Sequence, residues 1–242
     1  MDKGRRSFQD FSAGFDLGVR PLKAARPLHV CRLAVSCLSF LTMHFESNRV
    51  YHLYNRGNDK QKVFFNRENY LYFLRKVRKE WLPYADILAY CLMPNHFHFI
   101  LVANEAGCHY IVLGAKETHL QILSKVIGKT LSSYTQAINK QQNHAGNLFQ
   151  KKTKAKCICK NDPVSVQDPY LLACAHYIHL NPQAANLASI ETDWEFSSSK
   201  DYAGIRNGTL CNKELLFEIS GMKKEDFVYD EANEKEVTSR LF

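Results

Sequence analysis

His96 and His98 stand two residues apart at the head of an apolar run, Pro94-Asn95-His96-Phe97-His98-Phe99-Ile100-Leu101-Val102. In a β-strand, residues two apart point to the same face. The pair therefore presents two imidazoles side by side on a rigid support, which is half of a metal site. A further ligand is available from a helix predicted downstream. Tyr177 and Asn181 are four apart, hence on one helix face. Asn181 offers an amide oxygen of the kind a hard cation accepts, and Tyr177 offers a phenol beside it. Together, His96, His98 and Asn181 would make a two-histidine, one-amide metal site next to a tyrosine nucleophile. Imidazole favours zinc, whereas magnesium prefers oxygen, so residue types alone leave the metal open.

The elements that must position these groups follow from periodicity. Residues 50–54, Val-Tyr-His-Leu-Tyr, are aromatic and β-prone, and residues 55–59, Asn-Arg-Gly-Asn-Asp, end them as a turn. A helix is expected over 66–80, with Asn66 as cap and Tyr70, Phe73, Leu74 and Val77 at helical spacing. Strands over 86–93 and 96–103 flank Pro94-Asn95 as a hairpin. A long amphipathic helix is expected over 119–140, a loop over 146–149, a basic fourth strand within 150–160, and an apolar helix over 168–180 stopped by Asn181-Pro182. The order β-α-β-β-α-β, then α, is the split βαβ pattern. It predicts an α+β, ferredoxin-like antiparallel sheet with helices on one face, plus a C-terminal helix carrying Tyr177.

Composition narrows the class of partner. The chain has 242 residues, is 45% hydrophobic and carries a formal net charge of +8, with a pI of about 9.0. A basic balance points to a polyanion. No apolar run reaches the roughly eighteen residues a membrane span needs, and no membrane role is expected. The eight cysteines form no CxxC pair. Irregular spacing and apolar settings fit reduced thiols in a cytoplasmic protein better than a disulfide framework or zinc site. Cys157-Ile158-Cys159 reads as two strand positions. Gly128-Lys129-Thr130 imitates a phosphate-binding loop, but Leu123 stands where its first glycine belongs, inside a predicted helix.

His96-Phe97-His98 resembles the HUH motif (His, hydrophobic, His) of single-strand DNA nicking and transposition enzymes. Its context, Leu92-Met93-Pro94-Asn95-His96-Phe97-His98-Phe99-Ile100, resembles the REP-associated tyrosine transposases and related single-tyrosine insertion-sequence transposases. So do Tyr54-Asn55-Arg56-Gly57-Asn58 upstream and Tyr177-Ile178-His179-Leu180-Asn181-Pro182 downstream. The three motifs occur in the family's order between residues 50 and 202. The resemblance implies that Tyr177 attacks DNA to give a 5′-phosphotyrosine, and that His96, His98 and Asn181 hold Mg²⁺ or Mn²⁺. Relatives often have Gln in place of Asn181; Asn is shorter but carries the same amide oxygen. Hairpin or single-stranded DNA is the implied substrate, and the protein is expected to act as a monomer or homodimer.

Three segments are expected: a basic extension over 1–42, either disordered or lying upstream of a true start at Met43; a catalytic domain over 43–205; and a C-terminal tail over 206–242. Arg56 and Asn58 in the first turn, and Lys151, Lys152, Lys154 and Lys156 around the fourth strand, are candidate DNA contacts. A lysine run is ordinarily a solvated face. Tyr51, Tyr54 and Phe149 are candidates for base stacking, with core packing the plainer role. Tyr134 and Tyr170 are rival nucleophiles. His176 and His179 fit packing better than phosphate contact, and His52 reads as an ordinary strand residue. The competing function is a binding module that uses an RNA-recognition-like sheet without cleavage. An inactive relative is a third reading, opposed by the retained histidines, tyrosine and amide.

Overall fold

A computed structural model describes residues 43–113, 118–158 and 169–221. The expected extension over 1–42, and residues 222–242 of the expected tail, lie outside the described residues. In chain order the elements are β1 (Val50–Arg56), α1 (Arg67–Glu80), β2 (Ala85–Met93), β3 (His96–Ala103), α2 (Glu105–Cys108), β4 (Tyr110–Leu113), β5 (Thr118–Gln121), α3 (Ile122–Gln141), β6 (Lys154–Cys157), α4 (Pro169–Ala184), α5 (Ser199–Tyr202) and α6 (Lys213–Ser220). The fold is mixed α+β. Four strands form an antiparallel sheet in the order β2-β3-β1-β6, and β4 and β5 form a separate hairpin.

The alternation along β3 explains how the sheet is covered. Phe97, Phe99 and Leu101 point one way and pack with Tyr51, Leu53, Phe73 and Val77, and with Leu123, Ile127 and Tyr134. That face carries α1 and α3. Ile100 and Val102 point the other way, into a second cluster with Val50, Ala89, Cys91, Leu171, Cys174, Ala175, Ile178, Leu216 and Ile219. That face carries α4 and α6. A strand apolar on both faces must be covered on both. Helices therefore do not sit on one face only, and the helix bearing Tyr177 lies on the face opposite α1 and α3.

Local chemistry sets the element ends. The Asn66 side chain accepts from the Asn69 amide and starts α1. Residues 119–121, expected as the first turn of the long helix, instead pair with Tyr110–Val112. The buried Gln121 side chain holds them extended, accepting from Phe45 N (2.7 Å) and donating to Phe45 O (2.7 Å), so α3 starts at Ile122. Thr130 is buried in α3 and accepts from the Trp81 indole, and Lys129 pairs with Glu80, so Gly128-Lys129-Thr130 is helix rather than phosphate loop. Pro182 does not end α4, which continues to Ala184. Asn181 thus lies inside the helix.

The packed body also continues past residue 205. Arg206 donates to both carboxylate oxygens of Asp201 (2.6 and 2.8 Å), to Ser197 O and to the Tyr90 hydroxyl on β2. Leu210, Cys211, Leu216 and Ile219 are buried. The Asn212 side chain caps α6, which closes on Gly221 at φ 70°. Residues 206–221 are held by this ion pair together with the buried apolar side chains of the segment. Cys91, Cys108 and Cys211 are free thiols. Among the described residues, no helix is long and apolar enough to cross a membrane.

Candidate active site

The hairpin at Pro94-Asn95 places His96 and His98 on the sheet face that α4 covers. In register, His98 lies between Cys91 on β2 and Tyr54 on β1, and Tyr54 in turn faces Lys154 on β6. His96 lies between Met93 and Arg56. One row across the sheet therefore runs Cys91-His98-Tyr54-Lys154, and the next runs Met93-His96-Arg56. Directly opposed residues share a face, so two basic side chains of β1 and β6 stand beside the imidazole pair. The ammonium of Lys154 lies 5.5 Å from the centre of the Tyr54 ring.

An open cavity of about 430 Å³ is lined by Tyr54, Asn55, Arg56, Lys60, Asn95, His96, His98, Gln150, Lys152, Lys154, Tyr177 and Asn181. It brings together both histidines, the phenol and the amide picked out from sequence, with three of the six candidate DNA contacts. Tyr177 and Asn181 are half-buried. The Asn181 amide nitrogen donates to Tyr177 O at 2.9 Å, which leaves its carbonyl oxygen as the donor atom for a cation.

The imidazoles are neutral and directed. Burial, and then the charge of Arg56, lowers His96 to about 4. Burial first, then His52 and His96, holds His98 well below its ordinary value. A neutral imidazole keeps one lone pair for a metal. In His96, Nδ1 lies 2.6 Å from Asn95 Oδ1. An amide oxygen only accepts, so Nδ1 carries the proton and Nε2 keeps the lone pair. In His98, Nδ1 lies 2.8 Å from Nε2 of His52. The two metal-candidate rings are 4.9 Å apart and nearly perpendicular. Among the described residues, no group of three His, Cys, Asp or Glu side chains is arranged to hold a metal. A site here depends on the amide oxygen of Asn181 as third protein donor, a set that suits a weakly held, exchangeable cation better than structural zinc.

The other candidates fall elsewhere. Asn58 donates to Asn147 O (2.9 Å) and ties the first turn to the loop ahead of β6, outside the cavity lining. Lys151 lines a neighbouring groove with Ser132, Gln136 and Asn139. Lys156 is exposed opposite His52, outside the cavity lining. Tyr51 and Phe149 belong to the core, so Tyr54 is the one of the three stacking candidates that reaches the cavity. Tyr134 is buried under the opposite face and donates to Val63 O (2.8 Å). Tyr170 does not line the cavity. His176 and His179 are buried, and His179 Nε2 lies 2.6 Å from Ser198 Oγ.

Sequence reading missed Asn95, Gln150 and Lys60 as parts of the cavity, and His52 as a neighbour of His98. Asn95 was legible as a turn residue directly before His96. His52 carried one signal, its alternation with Tyr54 on a β-prone run, but the strand pairing that brings it to His98 is not local.

Gly57 closes the turn after β1. A Cβ there would come within 2.2 Å of the Gln61 carbonyl oxygen, so only glycine fits. Its amide donates to Asn95 O at 2.7 Å, which locks the turn bearing Arg56 against the turn bearing His96.

The chain matches no protein-family model, and no curated protein matches it. Among solved structures, it is similar to a REP-associated tyrosine transposase bound to a REP hairpin, with a TM-score of 0.47 and 15% identity over 66% of this chain and 83% of that one.

Proposed function

We propose that this chain cleaves and rejoins single-stranded DNA by transesterification, with Tyr177 as nucleophile. The observation that carries the reading is the single cavity lined by His96, His98, Asn181 and Tyr177 and rimmed by Arg56, Lys152 and Lys154. The motif resemblance to REP-associated and single-tyrosine HUH transposases supports it, as does the split βαβ strand order β2-β3-β1-β6 of a ferredoxin-like sheet. Free thiols suit a cytoplasmic setting.

The donor set fits a divalent cation: two neutral imidazoles and an amide oxygen. Mg²⁺ or Mn²⁺ held by His96, His98 and Asn181 would supply Lewis-acid polarisation of a phosphate oxygen. The remaining chemistry belongs to the chain. Arg56, Lys152 and Lys154 hold the strand by its phosphates. The Tyr177 oxygen gives up its proton and forms a new bond to phosphorus. The bond from phosphorus to the 3′-oxygen breaks, and that oxygen leaves with the electron pair and takes up a proton. The product is a 5′-phosphotyrosine and a free 3′-OH. Attack of another 3′-OH on the phosphotyrosine reverses the exchange and rejoins DNA, with no nucleotide consumed.

A platform-type binding module is less favoured. Helices cover both faces of the sheet, and Tyr51 and Phe149 are buried, which leaves Tyr54 alone of the three stacking candidates in the cavity. The experiment is incubation with a single-stranded hairpin oligonucleotide and Mn²⁺, followed by denaturing electrophoresis. A covalent protein–DNA adduct is expected, lost in Tyr177→Phe with binding retained. An adduct that persists in Tyr177→Phe refutes the assignment.

A further inference from the structure

We propose that His52 is a positioning residue for His98: it accepts the Nδ1 proton and so fixes the ring with Nε2 turned to the cavity. The inference rests on the metal-site reading above. His52 is fully buried in β1. Its register partner on β3 is Ile100, and the partner of His98 is Tyr54. The two imidazoles therefore meet on the diagonal of one sheet face, where neighbouring side chains reach each other. Their rings are 5.1 Å apart and within 12° of parallel, and Nε2 of His52 lies 2.8 Å from Nδ1 of His98. His52 is absent from the cavity lining, which includes His98. It stands behind the candidate ligand ring, off the cavity wall.

Two ring nitrogens at this distance need one proton between them. If His52 donated it, neutral His98 would carry its own proton on Nε2 and offer the cavity no lone pair. If His98 donates it, Nε2 becomes the ligand atom. Only the second arrangement is compatible with a metal ligand. The Tyr54 ring stacks on His52 (4.8 Å, 21°) and holds the acceptor in turn. Asn95 plays the equivalent part for His96 through Oδ1. Each candidate ligand is thus held through its Nδ1, His98 by a group off the cavity and His96 by one on its wall, the arrangement by which neighbouring groups fix tautomer and orientation at metal sites.

The test uses the full chain and needs no DNA. Long-range ¹H–¹⁵N correlation of the imidazoles in the wild type is expected to show His98 as the Nδ1–H tautomer. The Nε2–H tautomer overturns the proposal, whatever any variant does. Mn²⁺ affinity is then measured by electron paramagnetic resonance for the wild type, His98→Ala, His52→Leu and His52→Gln. Binding is expected to be lost in His98→Ala and weakened about 10–100-fold in His52→Leu. It should be largely restored in His52→Gln, whose amide oxygen still accepts from Nδ1. Unchanged binding in His98→Ala sinks the metal site itself and this inference with it. Loss in His98→Ala with wild-type affinity in His52→Leu sinks the positioning role alone.

Discussion

The side-chain amide of Asn181 is bonded to the main-chain carbonyl of Tyr177, one helical turn earlier, at 2.9 Å. Candidate nucleophile and candidate metal donor are thereby joined through the helix that carries both. The bond commits the amide nitrogen and orients the side chain, and under the proposed function the carbonyl oxygen is the end that would meet a cation.

Asn181→Leu removes the oxygen while placing a better helix former in α4. Adduct formation on hairpin DNA is expected to fall about 10–100-fold at limiting Mn²⁺ and to recover partly as Mn²⁺ is raised. Thermal unfolding should move little. An equal loss at all Mn²⁺ concentrations would place Asn181 outside the metal site.

Lys152 and Lys154 line the cavity, whereas Lys151 lines the neighbouring groove and Lys156 stands outside the cavity lining. Lys152→Ala and Lys154→Ala should each weaken hairpin binding and lower the slope of log affinity against log salt by about 1. Fluorescence anisotropy over a salt series checks this. Lys156→Ala is expected to leave the slope nearly unchanged.

Gly57→Ala forces a methyl group against the Gln61 carbonyl oxygen, at 2.2 Å before relaxation. Overpacking of this kind costs about 1–3 kcal/mol, read from the urea midpoint. The same shift loosens the bond from Gly57 N to Asn95 O, so DNA binding should weaken beyond what the stability loss explains.

The Asp201 carboxylate is 1% exposed and is paired with Arg206. Arg206→Met leaves that charge with the Gly208 amide but no cation. A loss of about 3 kcal/mol is expected, at the lower end for a broken buried pair because Arg206 is one-third exposed. The control is Arg67→Met, which breaks an exposed pair with Glu195 and should leave the unfolding midpoint where it is.

What the sequence made legible was local. The alternation after Pro94 revealed β3, the Asn66 cap and apolar spacing revealed α1, and the four-residue interval from Tyr177 to Asn181 held because α4 continues past Pro182. What stayed hidden depends on contacts distant in sequence. The β4–β5 hairpin owes its end to Gln121 reaching Phe45, and residues 206–221 are held by an ion pair braced on Tyr90 and by apolar side chains buried against distant strands. The His52–His98 contact exists only because β1 pairs with β3. The lysine run read as one patch because spacing does not say which residues the sheet edge turns toward α4.

β3 is apolar on both sides, and only its first alternate positions on the α4 side carry imidazoles. A slip of one residue against β1 would exchange the two sides completely. Phe97 and Phe99 would then occupy the cavity, and His96 and His98 would be pressed into the aromatic layer under α1 and α3. The tight Pro94-Asn95 connection leaves no slack to absorb such a slip. Lengthening that connection by one residue is thus a way to silence the chemistry while keeping every side chain the chemistry uses.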